Sequence, residues 1–427
     1  MIFSDELVLR FKMKEADFTR NRKQPFTATL LLLLNFLRKS LAIEIDGFIS
    51  YLNKGSFLGK TPGFTSSAFI QNRKKINPEV FNFLSSVIIE NYYTKDNDAL
   101  KLFNGHRILA VDGSLITLPY TDALKKCFGV STNQSKVEIV QARASVLYDV
   151  LNGMTLDAII DNQNCSEPKL ALRHSENWAA NDLIIYDRGY PSYDFIYEHI
   201  RLKTPCLIRV KANYGFSVVK SFLATGKRSV VTEIFPSKAH SFEGKDYDNN
   251  TGLKVRLVRV ELSTGEVEVL LTTLLDNKEY PSKMFKELYF LRWGVETFYD
   301  ELKNKLKVEH FSGYSETSII QDFYCAIFIS NLQSVIVNDL KNEIAEQNLQ
   351  RQYDYKVNAN LSYGFLKNRV LELLGKEQPI ERVFLQLQEL FLKHTIPIRN
   401  NRNNPRITGK FKARLKPKVT KNQRDAI

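Results

Sequence analysis

Arg107-Ile-Leu-Ala-Val-Asp112-Gly-Ser114 and Asp182-Leu-Ile-Ile-Tyr-Asp187-Arg-Gly-Tyr190 are two short apolar runs, each of which ends in a carboxylate and then a glycine turn. Runs of this length, rich in Ile, Leu and Val and bounded by Gly, read as buried strands. Between them, Val137 to Tyr148 is β-rich, and Gly153 to Ile160 returns after the turn signal Asn152-Gly153. A helical segment from Cys165 to Ala180 precedes the second run; a helix from Pro191 to Lys203 and a strand from Cys206 to Val210 follow it. Three strands, helix, strand, helix, strand is an α/β order in which an antiparallel meander feeds a parallel part, so a mixed sheet is expected.

Downstream, Asn213 to Asp276 is a second β-rich stretch. Its expected strands are Val218 to Phe222, Arg228 to Ile234, Leu253 to Leu262 and Glu266 to Leu274, with a hairpin at Ser263-Thr-Gly265. After Pro281 the periodicity is helical over Ser282 to Leu306, Ile319 to Glu346, Tyr363 to Leu374 and Glu381 to Lys393. Upstream, Thr27 to Tyr93 is helical apart from a Gly-rich break at Gly55 to Gly63. The expected organisation is a helical N-terminal domain over 1–100, an α/β core over 101–212 and 281–315, a β-rich insertion over 213–280, a C-terminal helical region over 316–398 and a basic tail over 399–427. Gly55-Ser-Phe-Leu-Gly59-Lys60-Thr61 resembles a phosphate loop but is one residue short of that motif, follows no strand and runs into Pro62, so a nucleotide site is rejected.

The chain has 427 residues, 44% of them hydrophobic and 25% charged, which excludes both a small binding module and a disordered chain. Sixty Lys and Arg against 47 Asp and Glu leave a net charge of +13, which makes a polyanion the first partner to consider. Ten of those cations and no acid lie between Arg399 and Arg424. The four cysteines and six histidines are scattered without a C-x-x-C pair or an H-E-x-x-H motif, so neither a disulfide framework nor a zinc site is expected. The apolar run Leu30 to Leu34 falls well short of the ~20 residues of a bilayer span, and residues 1–14 lack a signal-peptide centre. A cytoplasmic protein with no membrane partner is the expectation.

An Asp leaving a buried strand into a glycine turn is placed to offer hard oxygen ligands at a sheet edge; the bland alternative is an Asp that merely starts the turn. A sharper signal lies in Lys286-Glu-Leu-Tyr289-Phe-Leu-Arg292-Trp293-Gly-Val-Glu296-Thr-Phe-Tyr-Asp300-Glu-Leu-Lys303. On a continuous helix at ~100° per residue, Tyr289, Arg292, Glu296 and Lys303 would fall within an arc of roughly 60°. One stripe would carry a phenol, a guanidinium, a carboxylate and an ammonium.

Y-x2-R-x3-E-x6-K, met by Tyr289, Arg292, Glu296 and Lys303, resembles the signature of bacterial DDE transposases of the insertion-sequence-four family. The segments around Asp112 and Asp187 are similar to that family's motifs for the first and second catalytic Asp. The resemblance, which runs from about Phe18 to Gly313, implies a ribonuclease-H-like core and a β-rich insertion between the second Asp and the Glu. It also implies that Tyr289, Arg292 and Lys303 grip the phosphates of the transposon ends, and that two ends are paired in a homodimeric synaptic complex.

Chemistry gives the acids their expected roles. Phosphodiester cleavage at neutral pH needs an activated nucleophile and charge stabilisation at both reacting oxygens, which two Mg²⁺ or Mn²⁺ ions supply. Asp112 is expected as a bridging ligand, with Asp187 and Glu296 flanking. Trp293 is a candidate for stacking on an extruded base or for core packing, and Arg188 and Lys211 are candidate backbone contacts. The expected function is a DNA transposase acting on transposon ends and target DNA. A nuclease of the same fold without strand transfer and a non-catalytic DNA-binding regulator are the alternatives.

Overall fold

The computed structural model describes residues 2–20, 23–55, 62–94, 96–132, 136–211, 216–237, 240–262, 265–367, 369–375 and 379–399. The rejected phosphate-loop residues 56–61, the hairpin residues 263–264 and the basic tail from 400 lie outside these.

Five helices open the chain: α1 (Asp5–Phe11), α2 (Phe26–Leu34), α3 (Leu41–Gly55), α4 (Ser66–Arg73) and α5 (Glu79–Tyr92). Then come β1 (Arg107–Thr117), α6 (Asp122–Phe128), β2 (Val130–Thr132), β3 (Glu138–Asp149), β4 (Met154–Asn162), α7 (Glu167–Arg173), β5 (Asp182–Tyr186), α8 (Tyr193–Arg201) and β6 (Cys206–Val210). The chain continues through α9 (Ser217–Ala224), β7 (Ser229–Ile234), β8 (Leu253–Glu261), β9 (Val267–Thr272), α10 (Phe285–Phe290), α11 (Trp293–Asn304) and α12 (Glu316–Asp339). It closes with α13 (Lys341–Gln347), β10 (Tyr355–Val357), α14 (Ala359–Leu366), α15 (Arg369–Leu374), α16 (Ile380–Lys393) and β11 (Thr395–Pro397).

Two compact units result. One is helical and gathers the described residues of 1–80, 301–313 and 328–399; the other holds the sheet, the described residues of 81–300 and 314–327. In the helical unit, α2 buries eight of its nine residues, which explains an apolar run without a polar face. Arg73, at the end of α4, is 2% exposed, donates to Ser312 Oγ at 2.7 Å and lies over the Phe69 ring, so its guanidinium is packed within the unit, while the next residue, Lys74, is exposed. α12 is long and apolar enough to cross a membrane, but most of it is buried within the protein.

The sheet has nine strands in the order β2-β3-β1-β5-β6-β9-β8-β7, with β4 on β3. β1 is antiparallel to β3 and β3 to β4, whereas β1, β5 and β6 run parallel. That five-strand order, β4-β3-β1-β5-β6, is a ribonuclease-H-like core. The Asn152-Gly153 turn that joins β3 to β4 has Gly153 at φ 69° and is held by the buried Asp149, whose Oδ1 accepts from the backbone N–H groups of Leu151 and Asn152.

The strands of the β-rich stretch do not fold aside. β9 pairs antiparallel with β6, and β8 and β7 follow, so the insertion widens the core sheet. Val218 to Phe222 is not one of them, because it belongs to helix α9, which buries Val219 and Phe222 three residues apart. A five-residue apolar run has too few positions to separate a period of 2 from one of 3.6.

Side-chain alternation gives the sheet two apolar faces. Leu109, Val111, Ile184, Tyr186 and Ile208 pack with Ala171 of α7, Phe195 of α8 and Phe222 of α9. Ile108, Leu183, Ile185, Leu207 and Leu270 pack with Phe285, Leu288 and Tyr289 of α10. The second face positions the site.

Candidate active site

The last parallel pair between β1 and β5 is Ala110 with Ile185. Two residues beyond lie Asp112 and Asp187, on the α10 face and at the same level of adjacent strands. Asp112 is not at the end of its strand, as the Gly-Ser turn signal suggested: β1 runs on to Thr117, paired with β3 throughout. Asp112 marks where β1 loses its parallel neighbour, and that opens the edge above it.

Burial pushes the Asp112 carboxyl pKa up to about 6; the Gly113 N–H bond at 2.9 Å and the charge of Arg292 oppose the rise, and Glu167 and Glu296 add repulsion. Asp187 goes the other way. Burial acts to raise it too, but the Arg188 N–H and the charges of Arg209 and Arg292 outweigh burial and hold this carboxyl below its usual value. Register explains the difference, because Tyr186 pairs with Ile208 and the next step sets Arg209 beside Asp187. The guanidinium bonds Oδ1 at 2.8 Å through Nε and 2.7 Å through Nη2, while Nη1 holds Glu268 at 2.5 Å.

The expected continuous helix is broken. α10 ends at Phe290, and α11 starts at Trp293 after a tighter turn closed by Arg292 N–H to Tyr289 O at 3.1 Å and Val295 N–H to Arg292 O at 3.1 Å. Gly294, next to the break, sits where a Cβ would be 3.2 Å from the Val150 side chain. The tight turn keeps Tyr289, Arg292 and Glu296 together. Tyr289 donates to Asp187 Oδ1 at 3.2 Å, and Arg292, 4% exposed, donates through Nη2 to Glu296 Oε1 at 2.7 Å. Arg292 Nε is buried without a hydrogen-bond partner among the described residues. Tyr299, one turn on from Glu296, donates to the carbonyls of Asp112 (3.1 Å) and Ala144 (3.2 Å), which fastens α11 to β1 and β3.

Five of the residues singled out in the sequence therefore converge: Asp112, Asp187, Tyr289, Arg292 and Glu296. Trp293 is 42% exposed with the Arg292 guanidinium 5.1 Å from its ring centroid, so it is not a core residue. Arg188 and Lys211 are exposed; Arg188 contributes its N–H to Asp187, and Lys211 directly follows β6. Lys303 belongs to the helical unit, where burial lowers its ammonium pKa against the charge of Glu309.

Sequence reasoning missed three members. Arg209 had a readable signal, a lone charge inside the apolar strand Cys-Leu-Ile-Arg-Val. Glu167 and Arg143 had none. Glu167 opens α7, pairs with Arg143 at 2.6 Å and fills the space that Gly113 leaves, because a Cβ there would lie 2.8 Å from Glu167 Cγ. The glycine after Asp112 thus admits a fourth carboxylate.

This donor set suits a hard cation. Asp112 is a half-buried carboxylate to which no cation is bonded among the described residues, and the charges of Glu167 and Glu296 act on it. Arg292 and Arg209 at present supply the positive charge, and among the described residues no three acidic, His or Cys side chains are arranged to hold a metal ion.

No curated protein matches the chain. Solved structures similar to it include the piggyBac transposase synaptic complex with hairpin DNA, at 10% identity and a TM-score of 0.39, over 91% of this chain and 76% of that one. The family described as transposase DDE domain matches residues 103–332, which spans β1 to the middle of α12 and takes in Asp112, Asp187 and Glu296. With more than half of its length inside that match, the chain belongs to the family of the transposase DDE domain.

Proposed function

We propose that this chain is a DNA transposase of the insertion-sequence-four kind, which cleaves at the terminal inverted repeats of its element and joins the ends to target DNA. The observation that carries the reading is the convergence of Asp112, Asp187 and Glu296 around Arg292 on one face of the sheet. Water attacks the phosphorus at the element end and the 3′-oxygen leaves as a hydroxyl; that hydroxyl then attacks a target phosphorus and displaces the target's own 3′-oxygen. Asp112, Asp187 and Glu296 would hold two Mg²⁺ or Mn²⁺ ions, which when bound supply an activated nucleophile at neutral pH and neutralise charge on the entering and leaving oxygens.

The chain's own residues have separate tasks. Buried Arg292 offers an unpaired Nε–H to a phosphate oxygen. Tyr289 orients Asp187 through its hydroxyl. Trp293, half-exposed beside them, offers a face for a base turned out of the duplex. Arg188, Lys211 and Lys303 add backbone contacts. The active species is a homodimer that pairs two ends, and the site of action is the cytoplasm.

Incubation of the full chain with Mg²⁺ and element-end DNA tests this directly. Asp112→Asn and Glu296→Gln each lose strand cleavage by at least ~1,000-fold while still binding the end. Cleavage at the wild-type rate by either variant would sink the assignment, and nicked products without joined ones would reduce it to a nuclease.

A further inference from the structure

At the far end of the same sheet, the approach to β7, the end of β8 and the segment running into α10 border an open cavity of about 410 Å³ whose lining includes Arg228, Arg259, Lys283, Lys286, Ser282 and Glu261. Its charge is unbalanced. Ser229 pairs with Val258 across the antiparallel β7–β8 ladder, so the next step sets Arg228 opposite Arg259, joined by the Arg259 N–H to Arg228 O bond at 2.8 Å. Like charges facing across a ladder cost stability. Lys283 and Lys286 add two more cations three residues apart, against the single carboxylate of Glu261, which stands 3.6 Å from Arg259 and is 71% exposed.

Two further observations point to a ligand. Arg259 Nε is buried and has no hydrogen-bond partner among the described residues, although an unpaired buried donor is destabilising. The wall is also pre-built. Arg256, 1% exposed, donates to Tyr280 O at 2.7 Å and Ser282 Oγ at 2.9 Å, and Ser282 Oγ bonds Ser229 Oγ at 3.0 Å, which fixes the segment carrying Lys283 against β7.

We propose that this cavity is a binding site for the phosphodiester backbone of duplex DNA, separate from the acidic centre. The proposal rests on the transposase reading and extends it. From Lys286, exposed Phe290 (68%) and Trp293 (42%) lead along α10 and the following turn to the acids. A strand whose scissile phosphate sits at Arg292 would lay another of its phosphates in the basic cavity.

The test measures the affinity of the full chain for end DNA and for random duplex across a salt series. Arg228→Gln/Arg259→Gln/Lys283→Gln/Lys286→Gln should weaken binding ten- to a hundred-fold and reduce the slope of log K against log salt by about 2, at ~0.9 per phosphate contact. Its thermal midpoint should equal or exceed that of the wild type, because repulsion has been removed. Lys283→Gln/Lys286→Gln, confined to exposed side chains, gives a smaller loss of the same kind should the quadruple variant misfold. Among neutral methylphosphonates stepped one position at a time away from the cleaved bond, one should weaken the wild type but not the variant.

An unchanged slope in a folded variant, while the wild type binds and cleaves, overturns this proposal and leaves the transposase reading standing. Absence of DNA binding by the wild type overturns both. A thermal shift with inorganic phosphate that the variant loses, beside an unchanged DNA slope, would make the cavity a small-anion site and overturn the DNA assignment.

Discussion

At the β1–β5 edge, three carboxylates share the guanidiniums of Arg292 and Arg209, whereas at the β7–β8 end of the same sheet four cations share Glu261 alone. The acidic centre carries its own counter-charges, placed so that each can be exchanged: Arg292 bonds Glu296, and Arg209 bonds Asp187. The basic cavity has no such internal supply. Balance at the first site can be rearranged within the protein, while balance at the second has to come from outside. That contrast separates a place for chemistry from a place for holding.

The largest effect on stability should come from Arg292→Gln, which removes the cation common to Asp112, Asp187 and Glu296. Removing the buried cation of a half-buried ion network leaves the surviving charges uncompensated, so denaturant unfolding at pH 7.5 should show a loss of up to about 3 kcal/mol. A loss near zero would mean that the acids do not depend on an internal cation.

Asp112→Asn is expected to act in the opposite direction. Its folded pKa, about 6, lies above the ordinary 3.8, so its contribution favours the fold at low pH and is lost as pH rises through about 6. The variant should therefore be more stable than the wild type at pH 8, on the order of 2 kcal/mol, and equal to it near pH 4. Mg²⁺ should raise the melting temperature of the wild type at pH 8 more than that of the variant. Stability curves that stay parallel across pH would show Asp112 to be an ordinary surface carboxylate.

The smallest change is the most local. Gly113→Ala forces a Cβ to within 2.8 Å of Glu167 Cγ and should cost ~1–2 kcal/mol. Glu167→Ala on the same chain should recover most of that, and a double-mutant cycle measures the coupling. Strictly additive effects would break the link between the glycine and the fourth carboxylate.

Much of the core was legible because its signals are local. Apolar runs with β-branched residues, the Asn152-Gly153 turn and the alternation of strand and helix are set by steric preference over a few residues, and the structure follows them at β1, β3, β4, β5 and β6. The errors came where local preference is nearly balanced. Val218 to Phe222 suits either period, and Leu291-Arg292 interrupts a helix that no Pro announces. In the site, the spacing of Tyr289, Arg292 and Glu296 survived the break because a tighter turn keeps the three on one side.

Residue chemistry and short-range spacing determined the core strands β1, β3, β4, β5 and β6, the two of them that carry the acids Asp112 and Asp187 in or just after an apolar run, and the segment that brings an acid and a guanidinium to them. Tertiary structure alone decided that the inserted strands widen the core sheet, that Arg209 and Glu167 join the site and that Arg228 faces Arg259. Each of these depends on the register between segments far apart in the chain. Register is set by the burial of whole faces, which no local window of sequence contains.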